Sequence, residues 1–563
     1  MLRTRSILAM AGVLAIGMFL SQGIEDIGAR ANLIGVDFGS SYMKATLVRP
    51  GKKFAIVENT AAKRKTEAMV TLGKENRLFG ADALLASGKY PLTTFAELQR
   101  TFGEQFDAEL VQKMKEHRFI TNEIAADERG VVAWKVTSAG SGGEESGEEL
   151  LHSEEVVAML LQYVKMLAEK QAEASVRECV ITVPSWFTYD QRLMIRDAAE
   201  QLAGLSVLQL VHENTAAAVL FGIDKVDKEA QNHTVLFYNM GGMDTEVAIA
   251  RYSHLNVSEK SKKLTPYIEI LAEAHERDLG SKDLDLVLFD ILADKFNALK
   301  EREGKPDLRT NPRATKRLLK EAAKIKEVLS ANKQASVKVP ELLDYVTLQL
   351  TLERAEMEER ASELFARVTG PIEAALAKAG LSMDEINQVE LLGGGIRTPK
   401  VTELLEKALK VKELGVHLNG DEAMCFGSAF IGSNSTMNFK VAAVMLTQNP
   451  DFEVRMIVEP TSSADALSEA DQRAEGAEDE EIIKYTQELR LFNSSDYFGK
   501  SKGLTMNYDK NMRIKFYKAP IGAAEDTKTE ELELLDTFEL DDLKEQYDAE
   551  LKWQETQAEK AKE

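Results

Sequence analysis

Short apolar runs and a longer amphipathic segment alternate at the start of the chain. The runs 33–38, 44–48 and 178–183 are apolar and end at glycine, proline or polar residues, which predicts strands. Segment 156–174 is apolar at helical spacing, and Ser153 followed by two glutamates precedes it. This pattern predicts a helix whose first turn is acidic.

After residue 438 the pattern changes to short alternating segments with turn residues between them. Apolar and polar positions alternate over 439–447, 452–458, 482–492, 504–508 and 512–517. Several short strands in succession predict an antiparallel β-sandwich.

Two segments of this last part differ from the strands. Residues 462–481 contain many acidic residues, hardly a base and few large apolar residues, which predicts a disordered acidic loop. The polar residues 529–563 have a helical pattern, and we expect them to form the start of a helical segment.

Glycine-rich segments follow apolar runs at three places: 34–42, 237–244 and 391–399. In the first two, a β-rich run ends in an acid or amide, followed by glycine and small polar residues. Such a turn lets backbone N–H groups approach phosphate with no Cβ in the way. A single glycine-rich turn is usually structural, but the order and spacing of the three predict a nucleotide clamp.

These segments resemble those of the actin-like ATPase superfamily, and specifically the heat-shock-seventy chaperones. The resemblance covers about residues 32–435 and is densest at 179–187 (CVITVPSWF) and 212–218 (HENTAAA). The chain lacks the usual acid-flanked, leucine-rich linker between Ser428 and Val441. Residues 438–441 (NFKV) instead resemble the entry to the β-domain in the large lumenal subfamily of hypoxia up-regulated chaperones.

The resemblance implies an α/β actin-like ATPase domain of two lobes, an antiparallel β-sandwich substrate-binding domain and a partial C-terminal helical lid. The implied nucleotide-binding domain is 32–435, with lobe I at about 32–230 and lobe II at about 231–435. The β-sandwich domain would be 436–528, and the lid would begin within 529–563.

The resemblance also implies which residues bind ATP or ADP with Mg²⁺. Asp37 would hold water on the Mg²⁺ ion, while Lys326 and Ser330, on a helix predicted over 312–330, would clasp the adenosine. Asp37 and Glu213 are the candidate catalytic residues. The implied nucleotide contacts are Asp37, Gly39, Ser40, Ser41, Tyr42, Gly241, Gly242, Lys326, Ser330, Gly393, Gly394, Gly395, Arg397 and Asp421.

Several positions depart from the family pattern. The lysine that aligns the γ-phosphate is replaced by Gln99, although Arg100 beside it is a candidate substitute. In the second loop the family's acid and threonine are Asn239 and Asp244, and Ala323 replaces an acid that contacts the ribose. Phosphoryl transfer depends on positioned charge, so we predict ATP binding with weak or absent hydrolysis. The alternative is neutral drift in a competent ATPase.

Two further residues match the family's interdomain switch. Pro184 and Arg192 correspond to the proline and arginine that transmit the nucleotide state toward the β-domain. The alternative is a proline that ends a strand and an arginine on the surface.

The N-terminus is typical of a secretory signal peptide over residues 1–31. Arg3 and Arg5 precede the apolar stretch 7–20, and small residues follow near 29–31. An uncleaved anchor is the alternative. After cleavage we expect no membrane association.

The sequons indicate a cellular compartment, and the net charge argues against nucleic acid as a partner. Four sequons, which fit a glycosylating lumen, are Asn232, Asn256, Asn434 and Asn493. Cys179 and Cys425 lie in apolar segments and are predicted to be buried free thiols rather than a bridge. The net charge of −22 argues against nucleic-acid binding, because an acidic surface repels phosphate.

Taken with the resemblance, these observations favour an ATP-binding chaperone of the endoplasmic reticulum lumen. It would hold unfolded polypeptides and act as nucleotide exchange factor for the lumenal heat-shock-seventy chaperone, BiP, a role that only the resemblance implies. The main alternative is an autonomous ATP-hydrolysing foldase driven by J-domain partners. A small-molecule kinase on the same fold is disfavoured, because the β-domain would have no role in it.

Overall fold

A computed structural model describes most of the first 448 residues and four segments after them. The described residues are 32–107, 109, 113, 120–137, 148–226, 232–258, 261–409, 415, 417–436, 439, 441–448, 452–460, 487–492, 512–520 and 532–540. They form two compact units, which divide between Leu446 and Thr447. The predicted signal peptide 1–31 and the predicted acidic loop 462–481 lie outside the described residues, as does the predicted strand 504–508.

Lobe I contains twelve described strands, six of which form its main sheet. Its strands are β1 (Asn32–Phe38), β2 (Tyr42–Val48), β3 (Ala55–Ile56), β4 (Thr66–Glu67), β5 (Val70–Leu72), β6 (Arg77–Phe79), β7 (Thr94–Phe95), β8 (Ile124–Ala126), β9 (Val132–Thr137), β10 (Glu148–His152), β11 (Val176–Val183) and β12 (Ser206–His212). Its helices are α1 (Gly80–Ala86), α2 (Ser153–Ala172), α3 (Tyr189–Asp197) and α4 (Glu213–Asp224). Short 3₁₀ turns are Pro91–Thr93 and Leu98–Arg100, and a π-helical turn is Ala198–Leu202. The main sheet has the order β12-β11-β1-β2-β3, with β4 beside β2.

The predicted strands and helix of lobe I are confirmed, with small changes at their ends. The strand predicted over 178–183 begins earlier, at Val176, and the helix predicted over 156–174 is α2. Its start is fixed by the His152 backbone N–H, which donates to Glu155 Oε2 at 2.8 Å. It ends at Ala172 because Glu173 adopts the left-handed conformation, with φ of 55°.

Lobe II is built on a second mixed sheet and a separate hairpin. Its strands are β13 (His233–Met240), β14 (Asp244–Ser258), β15 (Ser261–Arg277), β16 (Gln334–Leu343), β17 (Val346–Glu353), β18 (Gln388–Leu392) and β19 (Met445–Gln448). Its helices are α5 (Ser281–Asn297), α6 (Pro312–Ala331), α7 (Arg354–Arg360), α8 (Ser362–Arg367), α9 (Gly370–Ala379), α10 (Pro399–Leu409) and α11 (Ala423–Ser435). The 3₁₀ turns are Lys300–Arg302, Leu308–Thr310, Met383–Glu385 and Gly395–Arg397. The sheet order is β18-β13-β14-β15-β19.

The two main sheets repeat one arrangement. In lobe I, β1 and β2 form an antiparallel hairpin, and β11 runs parallel beside β1. In lobe II, β13 and β14 form the hairpin, and β18 runs parallel beside β13. The turn of each hairpin is one of the glycine-rich loops found in the sequence, so the fold places the loops at equivalent positions of the two sheets.

Helix α11 crosses the sequence-based lobe boundary. We placed residues 423–435 in lobe II, but α11 packs on lobe I. Its backbone comes so close to two lobe I elements that a Cβ on Gly427 would overlap Ala216 in α4, and a Cβ on Gly35 would overlap Ala429. Sequence order could not reveal this packing, because it depends on a long-range return of the chain. Cys179 and Cys425 are buried free thiols, as predicted.

The second unit is described as one four-stranded antiparallel sheet. Its strands are β20 (Phe452–Pro460), β21 (Gln487–Phe492), β22 (Met512–Pro520) and β23 (Glu533–Leu540), in the order β21-β20-β22-β23. The strands predicted near 452–458, 482–492 and 512–517 are confirmed within the described residues. The strand predicted over 439–447 is shorter, since β19 begins only at Met445. That this sheet belongs to a β-sandwich stays a prediction.

The prediction of a helix from residue 529 is wrong over Glu533–Leu540, where the structure has strand β23. This strand pairs with β22, and the rings of Phe538 and Phe516 meet edge to face with centroids 5.7 Å apart. Pairing with a distant strand therefore outweighs the helix propensity of a glutamate- and leucine-rich segment. Among the described helices, none is both long and apolar enough to cross a bilayer.

The close crossing of α11 and α4 gives a stability prediction. Gly427→Ala should destabilise the protein by about 1–3 kcal/mol, because the added methyl group must displace helix backbone. Urea denaturation measures the change. Gly370→Ala is the matched control, since a Cβ there meets nothing within 4 Å. Equal stability of the two variants would contradict the close packing.

Candidate functional site

The two predicted phosphate loops face each other across a cleft in the first unit. Residues 39–41 form the turn between β1 and β2, and residues 241–243 form the turn between β13 and β14. A Cβ on Gly242 would overlap the hydroxyl groups of Ser40 and Ser41. Only glycine permits this approach, and the two loops thereby form opposite walls of one cavity.

This cavity has a volume of about 330 Å³, and residues from both lobes line it. That volume is within the range of small-molecule sites. The predicted nucleotide contacts that line it are Asp37, Gly39, Ser40, Ser41, Tyr42, Gly241, Gly242, Lys326, Ser330, Gly393, Gly394, Arg397 and Asp421. Gly395 is not among the lining residues and lies against the Met240 side chain. The structure therefore brings the predicted contacts together with one exception.

Three carboxylates lie close together on the cavity wall: Asp37, Glu213 and Asp244. Burial, and then the charges of Asp244 and Asp37, raise the pKa of Glu213 well above its ordinary value. Burial also raises the pKa of Asp244. Asn239 Nδ2 donates to Glu213 Oε2 at 3.0 Å, and Trp186 Nε1 donates to Asp244 Oδ2 at 2.8 Å. Glu213 and Asp244 therefore each accept a hydrogen bond from an uncharged side chain.

A lysine holds the third carboxylate. Lys44 Nζ donates to Asp37 Oδ2 at 2.6 Å, and both side chains are nearly buried. Burial by itself lowers the pKa of Lys44, but the charge of Asp37 outweighs it, so the pKa lies above its usual value. Lys44 also lines the cavity. The site therefore contains a buried cation that the sequence reasoning missed.

Gln99 and Arg100 are both turned to other partners. The Gln99 side-chain amide donates to the carbonyl oxygen of Phe38 at 2.5 Å. The Arg100 guanidinium donates to Glu97 Oε2 at 3.2 Å and to Asp283 Oδ1 at 2.9 Å. Neither Gln99 nor Arg100 lines the cavity. The suggestion that Arg100 substitutes for the family lysine is therefore not supported.

Arg100 instead belongs to a buried charge cluster that joins the two lobes. Besides Glu97 it contacts Asp278 and Asp283 of lobe II, while Lys282 of lobe II pairs with Glu97. The nearby charges of Lys282 and Arg100 lower the pKa of Glu97 although burial opposes them. Burial raises the pKa of Asp283 to about 6. The cluster links the lobes beside the cavity.

The proposed nucleoside end of the cavity has its own ion pairs. Lys326 Nζ contacts Asp285 Oδ1 at 2.8 Å and donates to the Ser281 carbonyl at 2.6 Å. Arg397 Nη2 donates to Asp421 Oδ2 at 2.9 Å. Ser330 Oγ donates to a carbonyl of its own helix, α6. Ala323 also lines the cavity, where it offers no polar group.

The predicted switch residues are linked to lobe II through their neighbours. Pro184 follows β11 and precedes Ser185, whose N–H and hydroxyl donate to Glu246 Oε1 of lobe II at 2.7 and 3.0 Å. Arg192 Nη2 lies 2.7 Å from His212 Nε2. His212 Nδ1 in turn lies 2.7 Å from Glu273 Oε2 on β15. Arg192 is thus engaged with His212 rather than free on the surface, and its coupling role stays a prediction.

The sequons are placed differently by the fold. Asn232 is exposed just before β13, with φ of 54°. Asn434 is exposed on α11, and its Nδ2 donates to the carbonyl of Phe430 at 3.2 Å. Asn256 lies in β14, and Asn493 falls outside the described residues. Their glycosylation stays a prediction.

Comparison with known proteins gives the family. A family model described as Hsp70 protein matches residues 33–456. This chain belongs to the Hsp70 family. The chain is 36% identical to hypoxia up-regulated protein 1 of Xenopus tropicalis over 442 residues, which are 78% of this chain and 66% of that protein. The same protein of Homo sapiens is 36% identical over 413 residues, 73% of this chain and 40% of its own length.

A third relative agrees with these two. Hypoxia up-regulated protein 1 of Danio rerio is 35% identical over 429 residues, which are 75% of this chain and 42% of that protein. The match thus spans from two fifths to about two thirds of the relatives' own length. Membership of the Hsp70 family confirms the resemblance on which the sequence analysis relied and implies that the first unit binds nucleotide.

Five lysines of this Hsp70 domain line the cavity without having been predicted to do so: Lys44, Lys65, Lys282, Lys316 and Lys320. Lys44 could have been found by counting outward from the β1–β2 turn, because Asp37 and Lys44 are register partners across the hairpin. Lys316 belongs to a run of basic residues on α6, a pattern that usually indicates a solvated face, yet it is buried and lines the cavity. The spacing of basic residues along a helix does not show which of them another part of the fold will cover.

Burial of Lys316 makes stability depend on pH. Burial, and next the charge of Lys282, lower the pKa of Lys316 to about 7. Between about pH 7 and 10.4 the folded state then binds fewer protons than the unfolded state, so this group makes stability rise with pH. Its unfavourable effect is greatest at and below pH 7.

We therefore expect Lys316→Met to stabilise the nucleotide-free protein by at least about 1 kcal/mol near pH 6.5 and to have little effect near pH 10. Denaturant unfolding at both pH values measures this difference. The matched control is Lys324→Met on the exposed side of the same helix. A gain of equal size at both pH values would show that the amine is charged in the folded state throughout.

Proposed function

We propose that this Hsp70-family chain is an ATP-binding chaperone of the endoplasmic reticulum lumen. It holds unfolded polypeptides and accelerates nucleotide exchange on the lumenal Hsp70 chaperone, BiP. The observation that carries the proposal is the approach of Gly242 to Ser40 and Ser41, which forms a phosphate cradle from loops of both lobes. A ligand that bridges two lobes favours their closed arrangement by its differential affinity for it.

The cavity fits a nucleotide with Mg²⁺. Asp37, Glu213 and Asp244 supply the oxygen ligands that Mg²⁺ prefers, directly or through water. Among the described residues, no group of three or more His, Cys, Asp or Glu side chains is arranged to hold a metal unaided. Asp37 would help to hold a Mg²⁺ ion, through water, together with the phosphates of the nucleotide. Bound Mg²⁺ would neutralise phosphate charge.

Weak hydrolysis follows from the same contacts. The Gln99 amide is engaged with the Phe38 carbonyl, and Asn239 places a neutral amide where the family has a carboxylate. The positioned charge that accelerates phosphoryl transfer is thereby reduced. Glu213 and Asp244 still offer carboxylates to the cavity, and these favour the alternative of an ATP-hydrolysing foldase. Single-turnover kinetics separate the two.

The proposed compartment and partners are supported by the relatives and by features of the sequence. The relatives are named hypoxia up-regulated protein 1, and the chain itself has a signal-like N-terminus and sequons such as the exposed Asn232. Client binding would fall to the second unit, where β20 and β22 form the centre of an antiparallel sheet. The acidic composition favours protein partners over nucleic acid.

Exchange activity should require nucleotide in the cradle. ATP-loaded protein is expected to accelerate release of fluorescent ADP from the lumenal Hsp70 chaperone, while Gly242→Val, whose side chain occupies the phosphate approach, is expected to be inactive. Gly370→Val at an open position is the control and should behave like the natural protein. Equal acceleration by all three proteins, or none by any, would contradict the exchange role.

Hydrolysis should be much slower than in an Hsp70 ATPase that has the lysine and the carboxylate. The double change Gln99→Lys with Asn239→Asp should raise the single-turnover rate, because it returns charge to the attacked phosphate and to the metal side. Radiolabelled ATP and excess protein give the rate directly. A natural protein that already hydrolyses ATP as fast as an ordinary Hsp70 would support the foldase instead.

A further inference from the structure

Lys44 occupies a position in the cavity to which the family resemblance assigned no role. It is the register partner of Asp37 across the β1–β2 hairpin, so the two side chains lie on the same face of the sheet. The turn of this hairpin is the first phosphate loop, residues 39–41. Lys44 Nζ therefore lies beside Asp37, at the base of the loop proposed to surround the phosphates.

Among the described residues, six other cations line the cavity: Lys65, Lys282, Lys316, Lys320, Lys326 and Arg397. Lys65 lies over the Tyr42 ring and 3.7 Å from Asp421 Oδ2, while Lys316 and Lys320 belong to helix α6. Lys326 contacts Asp285 and the Ser281 carbonyl, and Arg397 contacts Asp421, both at the proposed nucleoside end. Lys282 pairs with Glu97 in the cluster that joins the lobes. Lys44 is the cavity cation whose ion pair is with the acid proposed to act at the phosphates.

We propose that the Lys44 ammonium group binds the phosphates of ATP and ADP directly and so supplies, from strand β2, the positive charge that Gln99 does not. The inference rests on the proposed nucleotide binding. When the site holds no nucleotide, Asp37 accepts from Lys44 and keeps its ammonium group at the phosphate end. An ammonium group has three donors, so Lys44 can keep this bond and still donate to phosphate oxygens.

A purely structural role for Lys44 is the competing explanation. In that case the lysine would only neutralise the buried Asp37 carboxylate, and any loss of binding in a Lys44 variant would come from an unpaired charge. The two roles separate once Asp37 is itself neutral. In an Asp37→Asn background, a structural lysine has no carboxylate left to neutralise, whereas a phosphate-binding lysine still contributes to affinity.

The experiment compares Asp37→Asn with the double variant Asp37→Asn/Lys44→Met by titration calorimetry. ATP, ADP and adenosine are titrated with the metal removed by a chelator, so that metal binding at residue 37 does not enter. Loss of Lys44 should weaken ATP and ADP about ten- to a hundredfold, as expected for a charge-assisted hydrogen bond, and leave adenosine unchanged. Asp37→Asn/Lys52→Met removes an exposed lysine outside the cavity and is the matched control.

Each other outcome has a distinct meaning. Unchanged ATP and ADP affinity in the double variant would overturn the role of Lys44 while leaving the proposed function intact. A parallel loss of adenosine affinity would also overturn it, since Lys44 would then shape the cavity as a whole. Asp37→Asn/Lys44→Arg, which keeps the charge, should bind ATP more tightly than the Met variant. A natural protein that binds neither ATP nor ADP would contradict the proposed function itself.

Discussion

Buried carboxylates inside the cleft must each find a partner, and this requirement governs how the two lobes pack together. Asp37, Glu213 and Asp244 lie near one another on the cavity wall, where like charges repel and burial disfavours the charged form of a carboxylate. Lys44 neutralises one of them, and neutral donors from Asn239 and Trp186 satisfy the others. The site is thus stable without a ligand only because its acids already have partners, and an entering ligand must compete with these partners or join them.

The same constraint operates between the lobes. Arg100 and Glu97 belong to lobe I, while Asp278, Lys282 and Asp283 belong to lobe II, and their side chains meet in one cluster. Removing one member of such a buried cluster typically costs about 3–5 kcal/mol, because it leaves a buried charge uncompensated. The cluster therefore favours closed lobes even without nucleotide. These ion pairs also explain why the Arg100 guanidinium does not line the cavity.

The same contacts support the proposal that this Hsp70 domain binds nucleotide but hydrolyses it weakly. The approach of the two loops depends on glycine and on serine hydroxyls, and it is intact. The segment that carries the family's lysine now has its glutamine bonded to the backbone of β1 and its arginine bonded to the other lobe. Binding and phosphoryl transfer require different things of the same cavity. Binding needs hydrogen-bond donors near the phosphates, whereas transfer also needs charged groups whose interaction with the phosphate is stronger in the transition state than in the ground state.

Local patterns in the sequence are enough to predict the main elements and the family resemblance, whereas the partners of the charged side chains depend on how the chain folds back on itself. Apolar periodicity located β1, β11 and α2, because burial on one face leaves a local pattern. The loop motifs located the part of the cavity wall where the two lobes approach each other, since a close backbone approach requires glycine at fixed places. What stayed hidden was the return of α11 to lobe I, the pairing of β23, the burial of Lys316 and the orientation of Arg100. Each of these features depends on contacts outside the local segment. The stability of a buried charge or of a strand is decided by the partner that the fold places beside it, and a local pattern does not identify that partner.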